Sequence, residues 1–242
     1  MLDPPYGQVN YVNENFPGSQ QTQVTGINKH GDTVGFWADT AGDNFGFVDR
    51  NGVFTDVVDR KGENNGPNGM TTEQLLGVND QNVAVGFWTD ANGNDHGFLY
   101  DVHRKKFTEI GINGFVSVTT TAINNAGKVA GFYVGAQGQD VGFVRSARGR
   151  ITALAGPQGS TSTQVLGINN EGEVVGSYLD ATGATHGFTW TRRGGYTTID
   201  DPNGMKGNNA VTVVNGVNDL GQLVGFYLDN NDNTDGMLAM PS

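Results

Sequence analysis

The sequence predicts an all-β protein, a five-bladed β-propeller with four antiparallel strands in each blade. A motif recurs five times: a Gly-hydrophobic-Asn triplet, a second Gly nine residues later and a Gly-Phe pair twenty residues later. These offsets are constant, whereas the spacing between copies varies from 45 to 51 residues. Constant units with variable connections are typical of stacked structural repeats. The chain also shows no segment with a helical period.

Each copy contains the anchors in the same order, with two exceptions: Ala122 replaces the first Gly of the third copy, and Met237 replaces the Phe of the fifth. The three anchors lie at Gly26/Gly35/Gly46, Gly77/Gly86/Gly97, Ala122/Gly131/Gly142, Gly167/Gly176/Gly187 and Gly216/Gly225/Gly236. The blade repeats therefore start near residues 22, 73, 118, 163 and 212.

Four strands are predicted in each repeat. In the fourth copy, residues 164–169 form a β-type segment that ends in Asn169-Asn170-Glu171-Gly172, and Asn-x-x-Gly predicts a tight hairpin turn. Residues 174–179 form a second strand, and the Gly-Phe strand follows a polar loop. A fourth strand begins at an aromatic or aliphatic residue in the first four copies, at Phe54, Phe107, Ile151 and Tyr196.

The fifth copy ends without a fourth strand. Near the N-terminus, Pro17 follows Tyr11 by six residues, and Pro202 follows Tyr196 at the same distance in the fourth copy. We therefore predict that an N-terminal strand at about residues 9–16 completes the fifth blade and closes the ring. Closure removes exposed sheet edges. The whole chain, 1–242, is then a single domain.

Composition excludes several classes of function. The formal net charge of −11 disfavours binding to nucleic acid or to an anionic membrane, since both use basic surfaces. No apolar run is long enough for membrane insertion. The chain has no cysteine, which rules out disulfides and thiolate metal sites. Oligomeric state cannot be derived from the sequence.

An aromatic residue recurs in the second strand of every copy. These residues are Trp37, Trp88, Tyr133, Tyr178 and Tyr227, and the residue before each is Phe36, Phe87, Phe132, Ser177 or Phe226. As binding residues they would form five equivalent platforms for sugar rings. As structural residues they would pack between neighbouring blades, whose two faces are both buried.

Other candidate ligand-binding residues lie at the start of the axial strands and before the Gly-Phe pair. They are Gln23, Gln74, Gln164, His96 and His186. The two histidines occupy equivalent positions in different blades, so a hydrogen bond into the neighbouring loop competes with a role as a ligand-binding residue.

Two loops concentrate carboxylates that Ca²⁺ would accept as ligands. They contain Asp39 and Asp43 in the first copy, and Asp229, Asp232 and Asp235 in the fifth. The spacing is not that of an EF-hand, and turn-forming Asp is the alternative. Calcium is the one cofactor that the sequence suggests.

The sequence also allows an enzyme at the axis. Glu73 is the only carboxylate at the start of an axial strand. Glycoside hydrolysis usually requires two carboxylates, so this hypothesis needs Asp200 or Asp201 to reach the axis as well.

The pattern Gly-Ile-Asn-x-x-Gly-x-x-Val-Gly-x-Tyr, followed by a polar loop and His-Gly-Phe, resembles the HAF-type extracellular repeats of bacterial proteins, named for a His-Ala-Phe triplet. It covers nearly all of the chain. Here Gly stands for the Ala, and the first position of the triplet is His only at His96 and His186. The resemblance implies a secreted or surface-exposed β-propeller, although no signal peptide opens this sequence. It implies no catalytic residues.

Two hypotheses for function follow. The first is an extracellular or surface module that binds a small molecule or a glycan, like a lectin, at repeated sites. The second is an enzyme that acts on a carbohydrate or another small substrate at the top of the central axis.

Overall fold

The described part of the chain folds into antiparallel sheets, which we number 1 to 5 after the five repeats. The structure is a computed structural model that describes residues 12–241. Sheet 1 contains β1 (Gln21–Ile27), β2 (Thr33–Ala38), β3 (Asn44–Arg50) and β4 (Val53–Val57). Sheet 2 contains β5 (Glu73–Val78), β6 (Val83–Thr89), β7 (Asp95–Asp101) and β8 (Lys106–Glu109). Sheet 3 contains β9 (Val118–Ile123), β10 (Val129–Val134), β11 (Asp140–Arg145) and β12 (Ile151–Leu154).

Sheet 4 contains β13 (Ser162–Ile168), β14 (Val174–Leu179), β15 (Thr185–Thr191) and β16 (Gly195–Ile199). Sheet 5 contains β17 (Thr212–Val217), β18 (Leu223–Leu228) and β19 (Thr234–Ala239). Strands that are adjacent in sequence pair within each sheet, and one parallel bridge between His96 and Val118 joins sheets 2 and 3. The prediction of an all-β fold with antiparallel sheets is confirmed.

A β-bulge in the first strand of every sheet explains the second glycine of the motif. In β13 the register shifts between Val165 and Gly167, and the same shift occurs in the other four first strands. The carbonyl oxygen of Gln164 then lies so close to Gly176 that a Cβ at this position would overlap it. The same overlap would occur at Gly35, Gly86, Gly131 and Gly225. The second glycine of the motif is therefore required because the backbone of the first strand approaches it closely.

Four hydrophobic clusters lie between consecutive sheets. We call the face of a sheet that contacts the next sheet its exit face, and the face that contacts the previous sheet its entry face. Between sheets 1 and 2, Val34 of the exit face and Leu75 of the entry face belong to one buried cluster. Corresponding clusters join sheets 2 and 3, 3 and 4, and 4 and 5. Each such contact is called a junction.

An asparagine ladder crosses the same junctions at the end of the sheets where β1 turns into β2, which we call the lower end. The side-chain Nδ2 of Asn79 donates to the carbonyl oxygen of Asn124 at 3.2 Å, and Asn124 donates to Asn169 at 2.9 Å. Asn169 continues the ladder to Asn218 at 3.0 Å. The recurring Asn thus links neighbouring sheets as well as shaping its own turn.

The N-terminal segment lies on sheet 1. Residues 9–11 of the predicted closing strand lie outside the described residues. For residues 12–16 the predicted strand is not found. Instead, Phe16 stacks on Trp37 with the ring centroids 4.6 Å apart, and Glu14 accepts a hydrogen bond from Thr33 at 3.0 Å. The physical reason is that the entry face of sheet 1 has no preceding sheet in this structure, and Phe16 covers part of it.

Candidate functional site

A cavity between sheets 3, 4 and 5 is the best candidate for a ligand site. It has a volume of about 280 Å³ and lies at the upper end of the sheets, opposite the asparagine ladder. Its lining comprises Asp140, Ser162, Gln164, Ser177, Tyr178, Leu179, Thr185, Val211 and Val213. Ligand pockets usually measure roughly 300 to 1,000 Å³. The cavity lies just below this range and has space for one small molecule.

Ser177 distinguishes this position from its counterparts in the other sheets. The equivalent residue is Phe36, Phe87, Phe132 or Phe226, and Ser177 pairs with Gln164 in the register of β13 and β14. A hydroxymethyl group leaves space that a phenyl ring would fill. The sequence alone shows this break in the pattern, but it does not show that the break opens a cavity.

The cavity contains a connected set of polar groups. Gln164 Nε2 donates to Asp140 Oδ2 at 2.7 Å, and the N–H of Asp140 donates to Ser162 Oγ at 3.2 Å. The side chain of Gln164 is thereby held in place from sheet 3. A similar pair occurs one junction earlier, where Thr119 Oγ1 donates to Asp95 Oδ2 at 2.7 Å. There Phe132 occupies the place of Ser177, so the pair itself is structural and the cavity is the new feature.

Four of the five recurring aromatic residues contact the chain segment that enters their sheet. Phe115 packs on Tyr133 at a centroid distance of 4.4 Å, in the way that Phe16 packs on Trp37. Gly62 lies against Trp88, and Gly204 lies near Tyr227. Trp88 and Tyr133 are buried, so neither is an open platform for a sugar. Tyr178 is the member of this set that lines the cavity.

The other predicted glutamines differ in their surroundings. Gln23 is exposed on the first strand of sheet 1, and Gln74 is half-buried on β5. Gln164 is the predicted glutamine that lines the cavity. Sequence reasoning missed Asp140, Ser162, Ser177 and Thr185, and only Ser177 carried a signal that could have been followed.

Both histidines bond to the upper loop of their own sheet. His96 Nε2 lies 3.2 Å from Asp90 Oδ2, and His186 Nε2 lies 3.4 Å from Asp180 Oδ2. His186 Nδ1 also lies 3.0 Å from both carboxylate oxygens of Asp200. These contacts match the interpretation that the histidines make structural hydrogen bonds into the loop.

The aspartates predicted as calcium ligands serve as loop residues. Asp39 Oδ1 accepts the N–H groups of Ala41 and Asp43, and Asp229 Oδ1 accepts those of Asn231 and Asn233. Asp180 occupies the same loop position, and hydrogen bonds from the Thr182 side chain and from main-chain N–H groups lower its pKa to about 2.

The other three predicted calcium ligands have different surroundings. Asp43 accepts a hydrogen bond from the N–H of Thr71 at 2.7 Å. Asp232 adopts a positive φ of 63°, and Asp235 pairs with Tyr227 on β18. Within residues 12–241, no group of three or more His, Asp or Glu side chains is arranged to hold a metal ion.

The three predicted catalytic carboxylates have separate surroundings. Glu73 is fully buried, and its Oε2 accepts the N–H of Asp59 at 2.7 Å. Asp200 pairs with His186, and Asp201 Oδ1 accepts the N–H of Asn203 at 2.9 Å. Burial raises the pKa of Glu73 to about 8, the hydrogen bond from Asp59 opposes this rise, and the charge of Asp59 adds to it. These contacts do not bring the three carboxylates together as an acid and base pair.

Comparisons with known proteins identify the fold and not the function. No protein-family model matches the chain, and no curated protein matches it. Among solved structures, a streptogramin B lyase is similar with a TM-score of 0.52 and 12% identity, over 98% of this chain and 74% of that one. AofleA from Arthrobotrys oligospora gives a TM-score of 0.55 and 10% identity, over 92% and 70% of the two chains.

A mutant of Aleuria aurantia lectin in complex with alpha-methyl-L-fucoside gives a TM-score of 0.51 and 10% identity, over 90% of this chain and 72% of that one. Within the described part of the chain, no helix has the length and apolar character to cross a membrane. At such low identities the similarities show the fold alone. The chain has an antiparallel, propeller-like arrangement of sheets.

Proposed function

We propose that this protein is a ligand-binding module that takes one carbohydrate ring, or a hydroxylated molecule of similar size, in the cavity beside Ser177. The observation that carries the proposal is the replacement of a recurring Phe by Ser177 at one sheet out of five. Because this replacement occurs in one repeat, a site beside Ser177 would give one binding site per chain and not five equivalent sites.

The chemistry of the lining suits a sugar. A carboxylate accepts hydrogen bonds from hydroxyl groups, a primary amide both donates and accepts, and serine and threonine hydroxyls do either. Asp140, Gln164 and Ser162 supply these groups on one side, and Val211 and Val213 supply apolar surface for the C–H groups of a ring. A few fixed polar groups in an otherwise apolar lining are typical of small-molecule sites. The complex of Aleuria aurantia lectin with a fucoside provides a precedent on a similar fold.

Titration calorimetry with a panel of monosaccharides tests the proposal. The panel contains L-fucose, D-galactose, D-glucose, D-mannose and N-acetyl-D-glucosamine. We expect one of these sugars to bind with a stoichiometry near one. Ser177→Phe should weaken binding at least about tenfold, since it fills the cavity as the other four sheets do. Ser177→Ala is the matched control, because it keeps the space and should retain most of the affinity.

Two results would overturn this function. One is saturable binding that Ser177→Phe leaves unchanged, and the other is the absence of binding to every sugar by a folded protein. A stoichiometry near five would also overturn the single site beside Ser177.

We also propose, from the resemblance to HAF-type repeats, that the protein acts outside the cell or at its surface. Fractionation of the source cells followed by detection with an antibody would test this location. Recovery of the protein only in the cytoplasmic fraction would contradict it.

A further inference from the structure

The exit face of sheet 5 and the entry face of sheet 1 have the composition of a junction but are exposed. Val24 is 46% exposed, whereas the equivalent residues at the four junctions, Leu75, Thr120, Val165 and Val214, are all 0% exposed. Val224 is 50% exposed, whereas its equivalents, Val34, Val85, Ala130 and Val175, are also 0% exposed. Sheets 1 and 5 therefore each expose a valine whose equivalents at the four junctions are fully buried.

Glycine positions support the same conclusion. A Cβ at the third glycine of the motif would meet the next sheet: at Gly142 it would lie 2.7 Å from Val165, and at Gly187 it would lie 2.7 Å from Val214. Gly46 and Gly97 are constrained in the same way by Leu75 and Thr120. Gly236 occupies this position in sheet 5, yet no atom of residues 12–241 lies within 4 Å of its Cβ position. Its φ is not positive, so neither contacts nor backbone conformation explain a glycine there.

The asparagine ladder ends at the same place. At all four junctions the second residue of the turn donates its N–H to the side chain of its counterpart: Lys29 to Asp80, Asp80 to Asn125, Asn125 to Asn170 and Asn170 to Asp219. At the end of this series, Asn218 turns its Nδ2 to Gln222 of its own sheet at 2.7 Å. The counterpart of Asp219 in sheet 1 is Lys29, whose side chain is 64% exposed and whose Nζ lies 3.6 Å from Asp80 Oδ2 of sheet 2. A cation would thus face a carboxylate if the two ends met.

All five sheets line one central cavity of about 240 Å³ at the lower end. It includes Ile27 of sheet 1 and Val217 of sheet 5, which place both ends of the array on the same small space. Ends that face one cavity within a chain have a high effective concentration for each other. The partner that fits the free face of sheet 5 is consequently sheet 1 of the same molecule.

We propose that the exit face of sheet 5 docks on the entry face of sheet 1 and forms a fifth junction. Val224 and Gly236 then pack against Val24, Asn218 Nδ2 donates to the carbonyl oxygen of Asn28, and Lys29 faces Asp219 on one side and Asp80 on the other. Phe16 remains on Trp37, as Phe115 remains on Tyr133 at the second junction. The fifth junction thereby closes the ring through the described sheets.

Cysteine cross-linking tests this junction directly, because the chain has no cysteine of its own. Lys29→Cys combined with Asp219→Cys should form an intramolecular cross-link on oxidation or with a short bis-maleimide, detected by mass spectrometry of the monomer. Asp80→Cys combined with Asn125→Cys is the positive control, since these side chains meet at 2.7 Å across an existing junction. Lys29→Cys combined with Asn125→Cys is the negative control.

Each result of the cross-linking experiment either supports or overturns the fifth junction. An intramolecular cross-link at the rate of the positive control supports the fifth junction. A cross-linked dimer shows that the faces join two copies and overturns closure within one chain. No cross-link, with the positive control intact, shows that the two faces do not meet and overturns the proposal.

A substitution gives an independent measurement. Val224→Asp should lower the melting temperature by about 5 °C or more if Val224 is buried against Val24, since a carboxylate would enter an apolar contact. Val53→Asp is the matched control, because Val53 is 65% exposed at the start of β4, and it should shift the melting temperature by less than about 2 °C. Equal, small shifts for the two variants would contradict the junction.

Discussion

Glu73 Oε2 accepts a hydrogen bond from the main-chain N–H of Asp59 at 2.7 Å, in the interior between sheets 1 and 2. The same position in two other sheets is a threonine that accepts an N–H from the entering segment: Phe16 donates to Thr22 at 3.0 Å, and Asp201 donates to Thr212 at 3.3 Å. Glu73 is therefore a structural acceptor that carries an ionisable group, and its Oε1 has no hydrogen-bond partner among the residues that the structure describes.

The stability of the protein should depend on pH through Glu73. Its pKa is raised from 4.5 to about 8 in the folded protein. The folded state therefore binds the proton of Glu73 more tightly than the unfolded state does. The contribution of Glu73 to the free energy of unfolding is largest below pH 4.5, falls as the pH rises towards 8 and is constant above pH 8. The loss across this window should be about 3 to 5 kcal/mol.

Glu73→Gln isolates this contribution. The difference in unfolding free energy between the variant and the unmodified protein, measured with denaturant from pH 4 to pH 9, should move in favour of the variant as the pH rises. Glu171→Gln, at an exposed residue of a lower turn, controls for the loss of a carboxylate. A difference for Glu73→Gln that stays constant with pH would refute the buried, protonated state.

The strands and turns were predictable because the same sequence signals for them recur in all five repeats. The Asn-x-x-Gly turn at Asn169 to Gly172 carries its own signal, and Gly172 adopts a positive φ of 85° as such a turn requires. The sequence shows that the second position of the motif is always glycine, but it does not show why glycine is required there. The bulge that presses Gln164 O towards Gly176 depends on register, which a sequence pattern does not specify.

Contacts between sheets were harder to predict than the sheets. Residues 12–16 resemble the fourth strand of other repeats, yet Phe16 lies on sheet 1, because pairing partners are set by which faces are free and not by local similarity. The cavity beside Ser177 was missed for a related reason. Its lining comes from three sheets, so Asp140 and Val213 meet Ser177 only through the packing of the sheets.

Loss of one asparagine side chain of the ladder should destabilise the protein strongly. Asn124 is buried, donates to Asn169 and accepts the N–H groups of Ala126 and Lys128. Asn124→Ala leaves these groups unpaired and should cost about 2 to 4 kcal/mol in unfolding free energy. Asn92→Ala, in an exposed upper loop, is the control and should stay within about 0.5 kcal/mol. Equal costs for both would show that the ladder adds nothing to stability.

Phe16 should contribute to the stability of sheet 1. It stacks on Trp37 and also contacts Phe47 and Phe54. Phe16→Ala removes this cover and should lower the unfolding free energy by about 2 kcal/mol, less than for a fully buried ring because Phe16 is half-buried. Denaturant unfolding followed by tryptophan fluorescence would measure the loss. Val12→Ala, at a residue that is 76% exposed, is the control, and an equal effect of the two variants would mean that the segment is not docked.

Gly86 should be among the least replaceable residues of the chain. A Cβ at this position would overlap the carbonyl oxygen of Gln74, and the obstacle is backbone of a bulged strand and not a movable side chain. Gly86→Ala therefore has to break the bulge or separate β5 from β6, which should cost about 3 kcal/mol or more in unfolding free energy. Gly111→Ala is the matched control, since nothing lies within 4 Å of its Cβ position. If both variants unfold at the same denaturant concentration, the second glycine of the motif has another cause, and the close approach of the bulge does not explain why the repeat retains it.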